Sequence, residues 1–356
     1  MNLILKLLGR RINIIRNRIR YIDYVKGLGI LLVILGHIGY GSDYIYIFHM
    51  PLFFFISGLL LSNLETKDAI QFLSSKIKGI LVPYLVFSII SFIWWAMIER
   101  HLRDQSIPVM KALLNIFIPY VGASFIYNVV LWFLVAILFS YFFVFFLVKI
   151  TNNHGFIMGL TSIFVFLLIS QINEPKIFEL SIAFSGGQLC MTAGYIIRKY
   201  KIGDLKELEN TKNIYLLIGF LSGLFGIWIA HYFNHDAVNM MNNSYGNLLL
   251  FILGAAAGIV LIFSLALILN RINLPVLSFL GINSLVIMAV HDPIKRIVIV
   301  VIAKLLRQEN EVVRHEMFPA LLILILVTIV SSVAAIIINK YFPFFLGKGK
   351  KRKLIN

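Results

Sequence analysis

Between Asn247 and Asn270 the chain reads LLLFILGAAAGIVLIFSLALIL, with no charged residue in the run. A helix of that length spans the roughly 30 Å hydrocarbon core of a bilayer. Lipid offers no partner to backbone polar groups, so such a segment crosses with its hydrogen bonds made internally. The pattern recurs along the chain. Hydropathy places about ten spans, near 24–41, 44–62, 79–98, 128–148, 155–171, 177–197, 213–233, 246–269, 276–302 and 318–340. With 60% hydrophobic and 13% charged residues and a mean hydropathy of +0.91, a soluble domain is excluded. The expected fold is an all-α integral membrane protein, a polytopic bundle of about ten transmembrane helices.

The net charge of +16 would suit a nucleic-acid partner, but topology accounts for it first. With the N-terminus inside, Lys and Arg concentrate in the arm before Lys26, in Arg198–Lys212 and in Lys340–Lys353, which predicts both termini cytoplasmic and no nucleic-acid partner. The cluster around Lys295 and Arg296 runs against this bias and suggests a ligand. Residues 1–23 read as a basic amphipathic arm on an anionic membrane surface, 24–342 as the transmembrane domain and 343–356 as a basic tail. The apolar start Met1–Leu8 is too short for a cleavable signal peptide. The single Cys190 excludes an internal disulfide and argues against a cysteine metal site.

The stretch from Arg20 to Ser62 carries Asp23, Lys26, His37 and His49 through two expected spans. Ionisable groups in a span are costly and mark ion, proton or substrate chemistry. Lys26 and His37 stand eleven residues apart, about three turns, and therefore share a helix face, with Asp23 one turn below Lys26. His49 opens the second span, and His291 lies about fifteen residues along the ninth. All three histidines fall at a similar depth in the outer half of the membrane. An imidazole can take a proton from a hydroxyl near neutral pH. His49 and His291 also fit the plainer role of bonding a backbone carbonyl. Asp23 and Lys26 fit a simple i, i+3 pair as well as a polar entrance for an anion. Lys76 and Lys78, before Pro83, add positive charge on the cytoplasmic side, as topology markers or as part of that entrance. Pro293 should break or kink the ninth span.

The phrases YIDYVKG…VILGH (Tyr21–His37), FHMPLFFFISG (Phe48–Gly58), NVVLWFL (Asn128–Leu134) and GINSLVIMAVH (Gly281–His291) come in that order. Together they resemble the membrane acyltransferase family 3, in its branch of sugar O-acetylases such as fucose acetylases. The family's essential first-helix histidine maps onto His37, and its basic residue eleven positions earlier onto Lys26. The family's basic pair before the third-span proline reads Lys76 and Gly79 here, with Lys78 as a nearby cation.

The resemblance implies transfer of an acetyl or other acyl group from cytoplasmic acetyl-CoA to a hydroxyl of a surface or lipid-linked saccharide, in the cell membrane. His37 would be the general base on the acceptor hydroxyl or, as the alternative, a transient acyl carrier; Lys26 would assist with charge, and Asp23 would orient Lys26. Lys26, Lys76 and Lys78 would meet the donor, while Asn283 would supply an oxyanion donor and His49 and His291 would support the acceptor side. Implied partners are an acyl-CoA donor, a saccharide or glycolipid acceptor and membrane lipid, with a homo-oligomer open; no metal is implied. The rival reading is a transporter or flippase for a lipid-linked saccharide, against which stand the missing internal repeat and the single broken-helix candidate. A purely structural scaffold leaves the Asp23–Lys26–His37 stripe unexplained.

Overall fold

The computed structural model describes residues 19–102, 107–117, 125–172, 184–200 and 205–348. Among them the chain is helical, with no named strand and one isolated bridge, Asn239–Ser244. The helices are α1 (Arg20–Ile38), α2 (His49–Leu59), α3 (Ala69–Leu102), α4 (Val109–Phe117), α5 (Val129–Ile150), α6 (Gly155–Ser170) and α7 (Phe184–Lys199). They continue with α8 (Asn213–Phe233), α9 (Leu248–Leu269), α10 (Pro275–Ile282), α11 (Ser284–Leu306), α12 (Asn310–His315) and α13 (Met317–Tyr341). The protein is an all-α polytopic membrane protein.

Six helices, α1, α3, α5, α8, α9 and α13, are long and apolar enough to cross a membrane by length and composition. The other expected spans fall short of that for identifiable reasons. α2 has 11 residues and α6 has 16, while α11 carries Asp292, Lys295, Arg296 and Lys304 in its length. The first part of the expected span 177–197, like residues 1–18 of the expected arm and 349–356 of the tail, lies outside the described residues. Residues 20–23 form the first turn of α1, so the helix begins before the expected edge at 24.

α1 is the central strut, packed by α2, α9, α10, α11 and α13. Its start is fixed to the loop before α10. The Arg20 guanidinium donates to the Asn270 side chain and carbonyl, and the Leu274 N–H donates to the Tyr24 hydroxyl at 2.8 Å. α10 then lies directly on α1. A Cβ built on Gly281 would stand 1.9 Å from the Asp23 carbonyl oxygen, and one on Gly27 would stand 2.4 Å from that of Leu277. Only glycine allows two backbones so close. From this contact α11 rises in the same sense as α1, bringing His291 beside His37.

Two features of the ninth span depart from expectation. The break falls at Asn283, between α10 and α11, whereas α11 runs unbroken through Pro293. A proline inside a helix leaves the carbonyl four residues earlier without its donor. That carbonyl, Ala289, accepts from the Asn128 side-chain amide at 2.8 Å, so the vacancy that would favour a break is filled from α5's threshold. α3 absorbs its own proline differently, with a π-helical turn at Ile77–Leu81 just ahead of Pro83 and a second at Trp95–Glu99.

Candidate active site

α1 ends just past His37. Gly39 adopts φ 114°, and its N–H closes the last turn onto the Leu35 and Gly36 carbonyls. The Ile38 carbonyl accepts from Arg314 Nε at 2.6 Å, and Arg314 is in turn paired with Glu311 at 2.7 Å. The chain turns over one short helix, Ser42–Ile45, and re-enters as α2 at His49. Within that turn the Tyr46 hydroxyl donates to the Gly36 carbonyl at 3.1 Å, and a Cβ on Gly36 would stand 2.9 Å from the Tyr46 ring.

Three imidazoles and a phenol gather there. The His37 ring lies 5.4 Å from His291, 6.4 Å from His49 and 6.1 Å from Tyr46, centroid to centroid, and Tyr46 lies 5.1 Å from His49. The expected convergence of the three histidines is therefore met. Both flanking rings are buried and fixed: His49 Nδ1 donates to the Ile45 carbonyl at 2.8 Å, and His291 Nδ1 to the Met288 carbonyl at 2.7 Å. A carbonyl only accepts, so Nδ1 carries the proton in each neutral ring and Nε2 holds the lone pair. His291 Nε2 has no hydrogen-bond partner among the described residues.

His37 differs from its neighbours in being half-buried. Residues around it on the inner face of α1, including Asp23, Ile30 and Val33, are buried, while Lys26 and His37 keep partial exposure. The remaining half-buried residues within α1, Leu28, Leu31, Leu32 and Leu35, point the opposite way at helical spacing. Lys26 and His37 thus share one face of α1 with buried neighbours, each keeping partial exposure, at two levels about 16 Å apart.

Beside His291 lies a compact charge network. Asp292 meets Lys295 at 2.8 Å and Arg296 at 2.9 Å, and Arg296 also meets Glu99 at 3.0 Å and donates to the Tyr127 carbonyl at 2.6 Å. Two cations face two anions. The Lys295–Arg296 cluster that runs against the charge bias is a paired network joining α11 to Glu99 of α3. Removing one member of a buried pair costs about 3–5 kcal/mol, which makes this network a clamp between α11 and α3.

The other expected site residues lie elsewhere. Asn283 stands at the α10–α11 break, about 12 Å of helix rise below His291. Its amide donates to Phe279 at 2.7 Å and its oxygen accepts from Asn339 at 3.0 Å, so it joins α10 to α13 and is not an oxyanion donor at His37. Asp23 is buried beside Gly281 in the first turn of α1. The Lys76 ammonium sits 3.7 Å from the Tyr141 ring centroid, a cation–π contact, and Lys78 is exposed. At the Arg20 end a cavity of about 450 Å³ is lined by Arg198, Lys199, Lys206, Tyr195, Asn153 and Glu65. Tyr46, Asn128 and the Asp292–Glu99 network were not singled out from sequence as site residues. Tyr46 stands three residues before His49, a helix-like spacing that could have flagged it.

No match is found among curated proteins or among solved structures. A family model described as an acyltransferase domain matches residues 19–339, nearly the whole described chain. The matched stretch holds all three histidines, the face of α1 that carries Lys26 and His37, and the clamp. The chain therefore belongs to the membrane acyltransferase family 3 and is a multi-pass membrane acyltransferase.

Proposed function

We propose that this acyltransferase is an O-acetyltransferase of the cell membrane, moving acetyl from cytoplasmic acetyl-CoA to a hydroxyl of a surface or lipid-linked saccharide, with His37 as general base. The observation that carries this reading is the contrast within the histidine cluster. His37 keeps partial exposure, while His49 and His291 are buried with their protons engaged by carbonyls. A partly exposed imidazole packed against fixed neighbours suits a group that must meet a substrate hydroxyl.

In the proposed reaction His37 removes the acceptor hydroxyl proton as the oxygen attacks the thioester carbonyl. Collapse of the tetrahedral adduct forms the ester and breaks the C–S bond. The departing thiolate takes the proton from the imidazolium, which regenerates neutral His37. The donor approaches from the Arg20 end, where Lys26 shares a helix face with His37 and Asp23 lies one turn away to orient it. Lys76 and Lys78, with the cation-lined cavity beside Arg198 and Lys199, give that end the positive charge that CoA phosphates need. His49 and His291 support the acceptor side.

The test is transfer of labelled acetyl from acetyl-CoA into membrane glycolipid or surface polysaccharide, comparing the unmodified protein with His37→Ala at matched membrane levels. Incorporation that disappears in the variant is expected. Equal incorporation in both would remove His37 from the chemistry, and none in either would turn attention to saccharide transport.

A further inference from the structure

Pro293 gives α11 a carbonyl, that of Ala289, with no donor on its own helix. The donor comes from a residue 161 positions earlier, Asn128, whose Nδ2 lies 2.8 Å from Ala289 O and 3.0 Å from Ser91 Oγ. Asn128 is fully buried and extended, with φ −165°, immediately before α5. A carbonyl cannot donate, so the amide nitrogen must be the end that faces Ala289. The preceding carbonyl, Met288, is the one that accepts from His291 Nδ1. The peptide groups of 288 and 289 are consecutive, so tilting one moves the other. The ring fixed by the first packs 5.4 Å from His37.

We propose that Asn128 is a positioning residue: by filling the carbonyl that Pro293 leaves open, it holds the Met288–Ala289 backbone and, through Met288, sets His291 against His37. This rests on the reading of His37 as the general base. Without Asn128 the helix around 289–293 would relieve its bare carbonyl by kinking, which swings His291 away from His37.

The proline itself supplies the test. In Pro293→Ala the missing N–H returns, Ala289 is satisfied from within α11, and Asn128 has nothing left to hold. Four proteins are compared in detergent or nanodiscs: unmodified, Asn128→Ala, Pro293→Ala and the double variant. Melting temperature, kcat, KM for acetyl-CoA and the pH profile of kcat are measured for each. Asn128→Ala alone is expected to lower kcat about tenfold and displace the pH profile with KM for acetyl-CoA little changed, whereas in the Pro293→Ala background it changes kcat less than about twofold. Asn128→Asp, which keeps the shape but replaces the donor with an acceptor, should fail as Ala does. If Asn128→Ala folds only when Pro293→Ala accompanies it, that rescue is the coupling itself. Equal losses in both backgrounds, in kcat or in melting temperature, would overturn the proposal and assign Asn128 to direct substrate contact or simple packing. Absence of transfer by the unmodified protein would sink the acetyl-transfer reading instead, and the coupling in melting temperature would still decide whether Asn128 fills the carbonyl.

Discussion

The two ends of α1 meet their neighbours, α10 at the foot and α11 at the top, on opposite principles. At the Arg20 end the chain closes through backbone, with Gly281 against Asp23 and Gly27 against Leu277, and no room for a methyl group between them. At the His37 end the helices are held apart by rings, and the gap is spanned by imidazoles whose own hydrogen bonds are local. The lower contact fixes where the helices start. The upper one decides what chemistry they can share. A rigid foot lets a small change at residues 289–293 act as an adjustment of one ring position, without loosening the bundle.

Substitutions at the two ends should separate these roles. The largest effect is expected at the top: His37→Ala should cut acyl transfer by about 10²–10⁴-fold, the usual worth of a positioned general base, with the melting temperature in detergent little changed. Next comes the clamp. Arg296→Leu strips Asp292 and Glu99 of a shared cation and should cost about 3–5 kcal/mol, seen as a large drop in melting temperature or loss of monodisperse protein. At the foot, Gly281→Ala should cost about 1–3 kcal/mol of stability, because the added methyl meets backbone and cannot be accommodated by a rotamer change. Its kcat per folded molecule should stay near that of the unmodified protein; a kcat falling in step with stability would show that the ends are not separate. The smallest effect belongs to Tyr46→Phe, which removes one hydrogen bond to Gly36 and should cost about 0.5–1.5 kcal/mol in stability.

Much of this was legible in the sequence, and the reasons are periodicity and rise. The apolar runs located the helices, and the eleven-residue step from Lys26 to His37 placed both on one face. Counting rise along each span brought His37, His49 and His291 to one depth, where they meet. The same count could have excluded Asn283, which lies a further eight residues down the helix from His291. What sequence could not supply was long-range satisfaction. Pro293 reads as a helix breaker until Asn128, far away in the chain, fills the carbonyl that it leaves. Lys295 and Arg296 read as a cluster against the charge bias until Glu99 and Asp292 are seen to meet them. Local rules describe what a residue lacks, and only the packed bundle says who provides it.

The clamp also bears on how the protein is made. α11 carries Arg296, and an unpaired arginine at the centre of a membrane helix costs roughly 2.5–3.5 kcal/mol on insertion scales. Asp292 travels on the same helix, but Glu99 arrives earlier, on α3, and the carbonyl of Tyr127 arrives between them. α11 therefore depends on two earlier segments already being in the bilayer to receive it. Biogenesis has an order written into a four-residue charge cluster: α11 settles against an acceptor prepared by earlier segments, and the histidine site comes into being only at that step.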